Sequence, residues 1–159
     1  MIIVIANSKK WFNTNKLKKT LKKHTVYQIS SKEELEFSYL KKINCNFIFF
    51  VHWHWLVPSS ILSEFKCILF HTAPLPFGRG GSPIQNLILQ GYKNSPVWAL
   101  KMEEEIDSGP LLVKKSISLE GKLSEILSRI ETAIIYLIQK ILNKNIKTKI
   151  QKGNVKIFK

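Results

Sequence analysis

An α/β fold with a mostly parallel sheet and helices on both faces is what this sequence predicts. Three observations predict it. Short β-branched or aromatic runs alternate with stretches of three- and four-residue apolar spacing along the chain. The strongest runs, Ile2–Ile5 and Asn46–Val51, are apolar at nearly every position, as strands buried on both faces are. And 45% hydrophobic residues in 159 are enough for one sizeable core, with no internal repeat and no linker composition to divide it. Strands that alternate with helices imply right-handed crossovers into a doubly wound sheet.

The elements follow in order. Ile2–Ile5 reads as a central strand. Leu17 and Leu21, one helical turn apart among lysines, predict an amphipathic helix over 13–23. Thr25–Ile29 is a second strand. Ser31 and Glu34 have capping-box spacing, which predicts a helix from there to about Lys42. Asn46–Val51 is a third strand, Pro58-Ser59-Ser60 opens a short helix, and Lys66–Phe70 is a fourth strand. Thr72–Pro83 is rich in Pro and Gly and reads as a loop. A helix over 83–90 stops at Gly91. Pro96–Met102 and Leu111–Ile117 are strand-like, with an acidic loop between them. Leu123, Ile126, Leu127, Ile130, Ile134, Leu137, Ile138 and Ile141 keep helical spacing over a long last helix. Residues 1–145 are thus expected to form one Rossmann-like domain, and 146–159 a basic tail or a small hairpin around Gly153-Asn154.

Composition excludes several classes. Four Trp and nine Phe are foreign to a disordered chain. Two cysteines make neither a disulfide framework nor a four-ligand zinc site, so a reducing cytoplasm is expected and no metal. The wholly apolar runs, Phe47–Val51 among them, are far short of the roughly 20 residues of a membrane span. Met1–Ala6 has no basic segment before it and reads as a strand rather than a signal peptide. The net charge of +14 invites a nucleic-acid partner. Yet the surplus is confined to 1–23 and 140–159, where every charged residue is Lys, and the stretch between is balanced. Only two of the 25 basic residues are Arg, the residue suited to bidentate phosphate contacts. A lysine-rich solvated surface is the simpler reading; nucleic acid is possible but not favoured.

In a doubly wound sheet, ligands bind beyond the carboxyl ends of strands. The three loops at those positions hold His52-Trp53-His54-Trp55-Leu56-Val57-Pro58, His71 through Gln85, and Glu103 through Pro110. A His at the end of a buried strand suits general acid–base work, and an Asp in a nearby loop can orient it or relay a proton. Trp53 and Trp55 can stack on a flat heterocycle or simply pack beside the short helix. Arg79 can hold an acidic substrate or tie its loop to carbonyls. His52 and His54 have the alternate spacing of half a metal site, but no cysteine stands near to complete it. Gly78–Gly81 lacks the spacing of a phosphate-binding loop.

His71…Leu75-Pro76…Arg79-Gly80…Pro83-Ile84, followed by Asp107-Ser108-Gly109, resembles the folate-dependent formyltransferases. That family includes methionyl-tRNA, glycinamide ribonucleotide and amino-sugar formyltransferases. The resemblance is specific over about Asn46–Ile117, and the Phe77–Pro83 wording is most similar to small amino-sugar N-formyltransferases. It implies transfer of a formyl group from N10-formyltetrahydrofolate to a primary amine, the expected acceptor being an anionic, nucleotide-linked amino sugar. It implies His71 and Asp107 as catalytic groups, and pterin contacts from Trp53, Trp55, Leu56 and Val57 and from Met102, Glu105 and Ile106. Arg79, Gly80, Ser82 and Gln85 are expected around the acceptor. The family's Asn two residues before the His, a donor to the formyl oxygen, is Leu69 here, and His54, Thr72 and Ser82 are its candidate substitutes. A homodimer completing the site, a degenerate fold that only binds, and a tRNA acceptor held by the basic ends are the alternatives.

Overall fold

The computed structural model describes residues 1–10 and 12–159 and divides into two compact units, Met1–Leu69 and Phe70–Lys159.

The first unit is a parallel sheet in the order β2-β1-β3-β4, formed by β1 (Ile2–Asn7), β2 (Thr25–Ile29), β3 (Phe47–Val51) and the start of β4 (Lys66–Thr72). Ile3, Val4, Ile5 and Ala6 on β1 and Ile48, Phe49, Phe50 and Val51 on β3 are all buried, which explains runs without polar alternation. Helix α1 (Thr14–Thr20) starts where the Asn13 side chain accepts the Lys16 N–H at 3.1 Å, and it buries Leu17. It ends earlier than its spacing predicts, because residues 21–24 turn to bring the Thr25 N–H onto the Met1 carbonyl.

The helix expected from Ser31 is broken. Ser31 does donate to Glu34 Oε1 at 3.0 Å, but the pair closes a single 3-10 turn over Lys32–Glu34. Helix α2 begins afresh and spans Phe37–Lys42. Leu35 and Leu40 are both buried, and in one unbroken helix they would point about 140° apart. The break lets both face the core. Helix α3 (Ser59–Glu64) follows Pro58 as expected and buries Ile61.

The second unit carries the end of β4, then β5 (Phe77–Gly80), α4 (Pro83–Leu89), β6 (Asn94–Lys101), β7 (Leu111–Ser118), α5 (Leu123–Asn143) and β8 (Lys156–Phe158). β6 and β7 pair antiparallel, from Asn94 opposite Ser118 to Leu100 opposite Leu111. α5 packs on this pair and buries Ile126, Ile130, Ile134, Leu137, Ile138 and Ile141. Its first turn is closed by Glu125, whose Oε2 accepts the Lys122 N–H at 2.6 Å. The Pro/Gly-rich loop contains a strand, and the chain beyond 145 does not fold back on itself as a hairpin. β8 pairs in parallel with β5, and Lys149 bridges Leu111. Gly78 and Gly80 make that pairing possible: both have positive φ, and a Cβ on either would collide with Phe158. No helix among the described residues is long and apolar enough to cross a membrane.

Candidate active site

The second unit brings His71 and Asp107 together. His71 stands near the end of β4, and Asp107 in the loop after β6. Both side chains are nearly buried, at 8% and 11% exposure. His71 Nε2 lies 2.6 Å from the Gly78 carbonyl oxygen. A carbonyl only accepts, so Nε2 carries a proton and donates. That leaves Nδ1 facing Asp107 Oδ2 at 3.4 Å, a contact that is favourable when one proton lies between them. It is longer than an ordinary hydrogen bond.

The same Asp107 oxygen, Oδ2, is fixed by the Gly80 N–H, which donates to it at 2.8 Å. The Asp107 backbone is left-handed, with φ +49°, a conformation Asp tolerates better than most residues. β5 therefore supplies both anchors: the Gly78 carbonyl for the imidazole and the Gly80 amide for the carboxylate. Between them, Arg79 turns its buried guanidinium onto Gln151 Oε1 (3.1 and 3.0 Å) and, at 3.4 Å, onto Glu105. Its contacts here are with the protein. Gln151 also donates to the carbonyls of Asp107 and Gly109 at 2.7 and 2.9 Å. Gly109 lies against the Lys101 carbonyl with no room for a Cβ. Of the remaining expected residues here, Met102 is half-buried, Ile106, Ser82 and Gln85 are exposed, and Thr72 is buried.

Sequence reasoning missed Gln151 and Phe158, and read Gly78 only as part of a loop. The one signal for Phe158 was the Val155-Lys156-Ile157-Phe158 alternation in a lysine-rich stretch.

In the first unit, His54 is exposed. Its Nδ1 lies 2.8 Å from Ser8 Oγ and its ring rests on Trp55 with centroids 3.9 Å apart. Trp53 meets Trp55 edge-on and packs against Phe50. Its Nε1 is a buried donor with no acceptor among the described residues. Leu56 is almost fully exposed and Val57 half-buried. His52 sits at φ +53°, and burial, with the Lys9 charge adding to it, lowers its pKa to about 4. Leu69 lies opposite Phe50 in the ladder between β3 and β4.

Residues 1–135 match the family model described as formyl transferase. Methionyl-tRNA formyltransferase of Campylobacter lari is 39% identical over 95 residues, covering 60% of this chain and 31% of that one. That of Rickettsia prowazekii is 31% identical over 87 residues, 54% of this chain and 29% of its own. The chain thus spans about a third of the length of these curated relatives. Among solved structures, methionyl-tRNA formyltransferase from Clostridium thermocellum superposes with a TM-score of 0.93 at 39% identity, over 99% of this chain and 71% of that one. The formyltransferase PseJ from Anoxybacillus kamchatkensis, solved with a UDP-linked 4-formamido sugar and tetrahydrofolate, shares the fold at 18% identity (TM-score 0.80, 99% and 85% covered). With the family match running through the His71 and Asp107 positions, this chain belongs to the formyl transferase family.

Proposed function

We propose that this chain transfers a formyl group from N10-formyltetrahydrofolate to a primary amine. The observation that carries the reading is the buried His71–Asp107 pair, anchored on both sides by β5. The folate supplies the formyl carbon and, in N10, a leaving nitrogen that needs a proton. A neutral amine adding to that carbon must lose a proton, so one proton has to travel from acceptor to N10 as the new C–N bond forms and the old one breaks. Asp107 is the group that takes it, its carboxylate held open by the Gly80 N–H. His71 is the group that offsets the negative charge developing on the formyl oxygen. Low exposure keeps competing water from both groups.

For the pterin, the first-unit segment Trp53–Val57 is the proposed contact, supported by the Trp53 Nε1–H, a buried donor suited to a heterocycle's carbonyl or ring nitrogen. With Leu69 in place of the usual Asn, His54, Thr72 and Ser82 remain the proposed donors to the formyl oxygen.

The acceptor we propose is a nucleotide-linked amino sugar, supported by the Phe77–Pro83 wording. A second reading, methionyl-tRNA, is supported by the 39% identity to enzymes of that name and by the lysine-rich ends. The test is tetrahydrofolate release from N10-formyltetrahydrofolate with a UDP-linked 4-amino sugar or with methionyl-tRNA. Release with the sugar, lost in His71→Ala, is expected. Release only with tRNA, steeply salt-dependent and lost on Lys→Gln changes at both ends, selects the second reading. No release with any amine, together with folate binding that His71→Ala leaves intact, would overturn the enzyme reading in favour of a binding protein.

A further inference from the structure

Gln151 lies beyond the 1–135 family match, in the stretch that the sequence reads as a tail. We infer that Gln151 is the positioning residue for Asp107. Its amide is used at both ends. Oε1 accepts from Arg79 Nε at 3.1 Å and Nη2 at 3.0 Å, and Nε2 donates to the carbonyls of Asp107 and Gly109 at 2.7 and 2.9 Å. A guanidinium offers only donors and a carbonyl only acceptors, so the amide stands one way round and no other side chain of this length serves both ends.

These contacts close a ring. Gln151 grips the Asp107 backbone, the Asp107 carboxylate receives the Gly80 N–H at 2.8 Å, and Gly80 follows Arg79, whose guanidinium returns to Gln151. The ring pins a left-handed residue from its main chain and its side chain at once, which sets Oδ2 beside His71 Nδ1. Glu105 is no substitute anchor for Arg79: it lies at 3.4 Å and is 74% exposed. The ring is a matter of geometry; its kinetic consequence rests on the formyl-transfer reading above.

Two variants separate positioning from simple tethering. Gln151→Glu keeps an acceptor for Arg79 but sets an oxygen against two carbonyl oxygens, and Gln151→Met keeps the length and loses both ends. Amide hydrogen exchange, followed by NMR on the full chain, reads the Gly80 N–H directly and needs no turnover. The Gly80 amide should exchange roughly tenfold faster or more in both variants. The next amide, Gly81, bonded to the Phe158 carbonyl at 3.2 Å, should be unchanged. In turnover, kcat should fall roughly 10- to 100-fold in both, with KM within about threefold. Wild-type Gly80 exchange or wild-type kcat in Gln151→Glu overturns the inference, because holding Arg79 is then sufficient. Equal acceleration at Gly80 and Gly81 overturns it too, as general loosening. Should Gln151→Met not fold, the Glu variant alone carries these outcomes. A wild-type chain without turnover sinks the formyl-transfer reading, and the exchange comparison still decides Gln151.

Discussion

Replacing Asp107 by Asn changes one atom and removes one charge at the centre of the site. Asn can still accept the Gly80 N–H, now 2.8 Å from Oδ2, so the loop has no reason to move. What disappears is the charge facing His71 Nδ1 at 3.4 Å. At an effective dielectric near 20, a full positive charge developing on His71 during the reaction and a carboxylate at that separation attract by at most about 5 kcal/mol, part of which desolvation offsets. The variant also loses the acceptor for the travelling proton, an effect of its own worth roughly 10²–10⁴-fold. Taken together, kcat should fall about a thousandfold, or about 4 kcal/mol of transition-state stabilisation. The assay is single-turnover tetrahydrofolate release at saturating amine, with urea unfolding of the variant alongside it. A kcat within tenfold of wild type, in a variant as stable as wild type, would refute the assignment of Asp107 to the proton path.

Three further outcomes follow from the packing and from one titrating group. His52 has its pKa lowered from 6.5 to about 4, so below about pH 6.5 the unfolded chain takes up a proton that the folded chain refuses. Its stability contribution is full above pH 6.5, falls by up to about 3 kcal/mol on the way down to pH 4, and levels off below; His52→Asn, which tolerates φ +53°, should flatten that part of a urea-midpoint against pH curve. Phe158→Ala should weaken the β5–β8 seam by about 3–5 kcal/mol, read as faster exchange of the Gly81 N–H that donates to the Phe158 carbonyl, because its ring is buried against Gly78 and meets Phe77 edge-on. Gly109→Ala drives a Cβ into the Lys101 carbonyl and should cost about 1–3 kcal/mol, read as a lowered urea midpoint.

What was legible in the sequence divides by the range of the forces involved. β1 and β3 were readable because burial on both faces leaves an unbroken apolar run, and α5 because one long face repeats. His71 and Asp107 were readable through a motif resemblance. β5 was hidden: Pro76, Gly78 and Gly80 argue for a loop, and only a partner distant in the chain makes them a strand. Gln151 was hidden for the same reason, since an amide between lysines has no local signature and its partners are far away in sequence. The Ser31–Glu34 pair misled in the opposite direction. Its local capping chemistry is present, but the demand to bury both Leu35 and Leu40 stops the helix it would have started.

The parallel pairing of β5 with β8 sets an order of events. Joining Gly80 to Phe158 closes a loop that contains α4, β6, β7 and α5, and an open chain of that length resists closure entropically. The β6–β7 hairpin and the helix on it are built from nearer neighbours and have less to overcome. A three-residue strand is then the last stitch, formed after its surroundings and the first to come undone. Heat or urea should therefore separate β5 from β8 while the hairpin is still intact, and the anchors of His71 and Asp107 would slacken at concentrations that leave the far-ultraviolet spectrum almost unmoved.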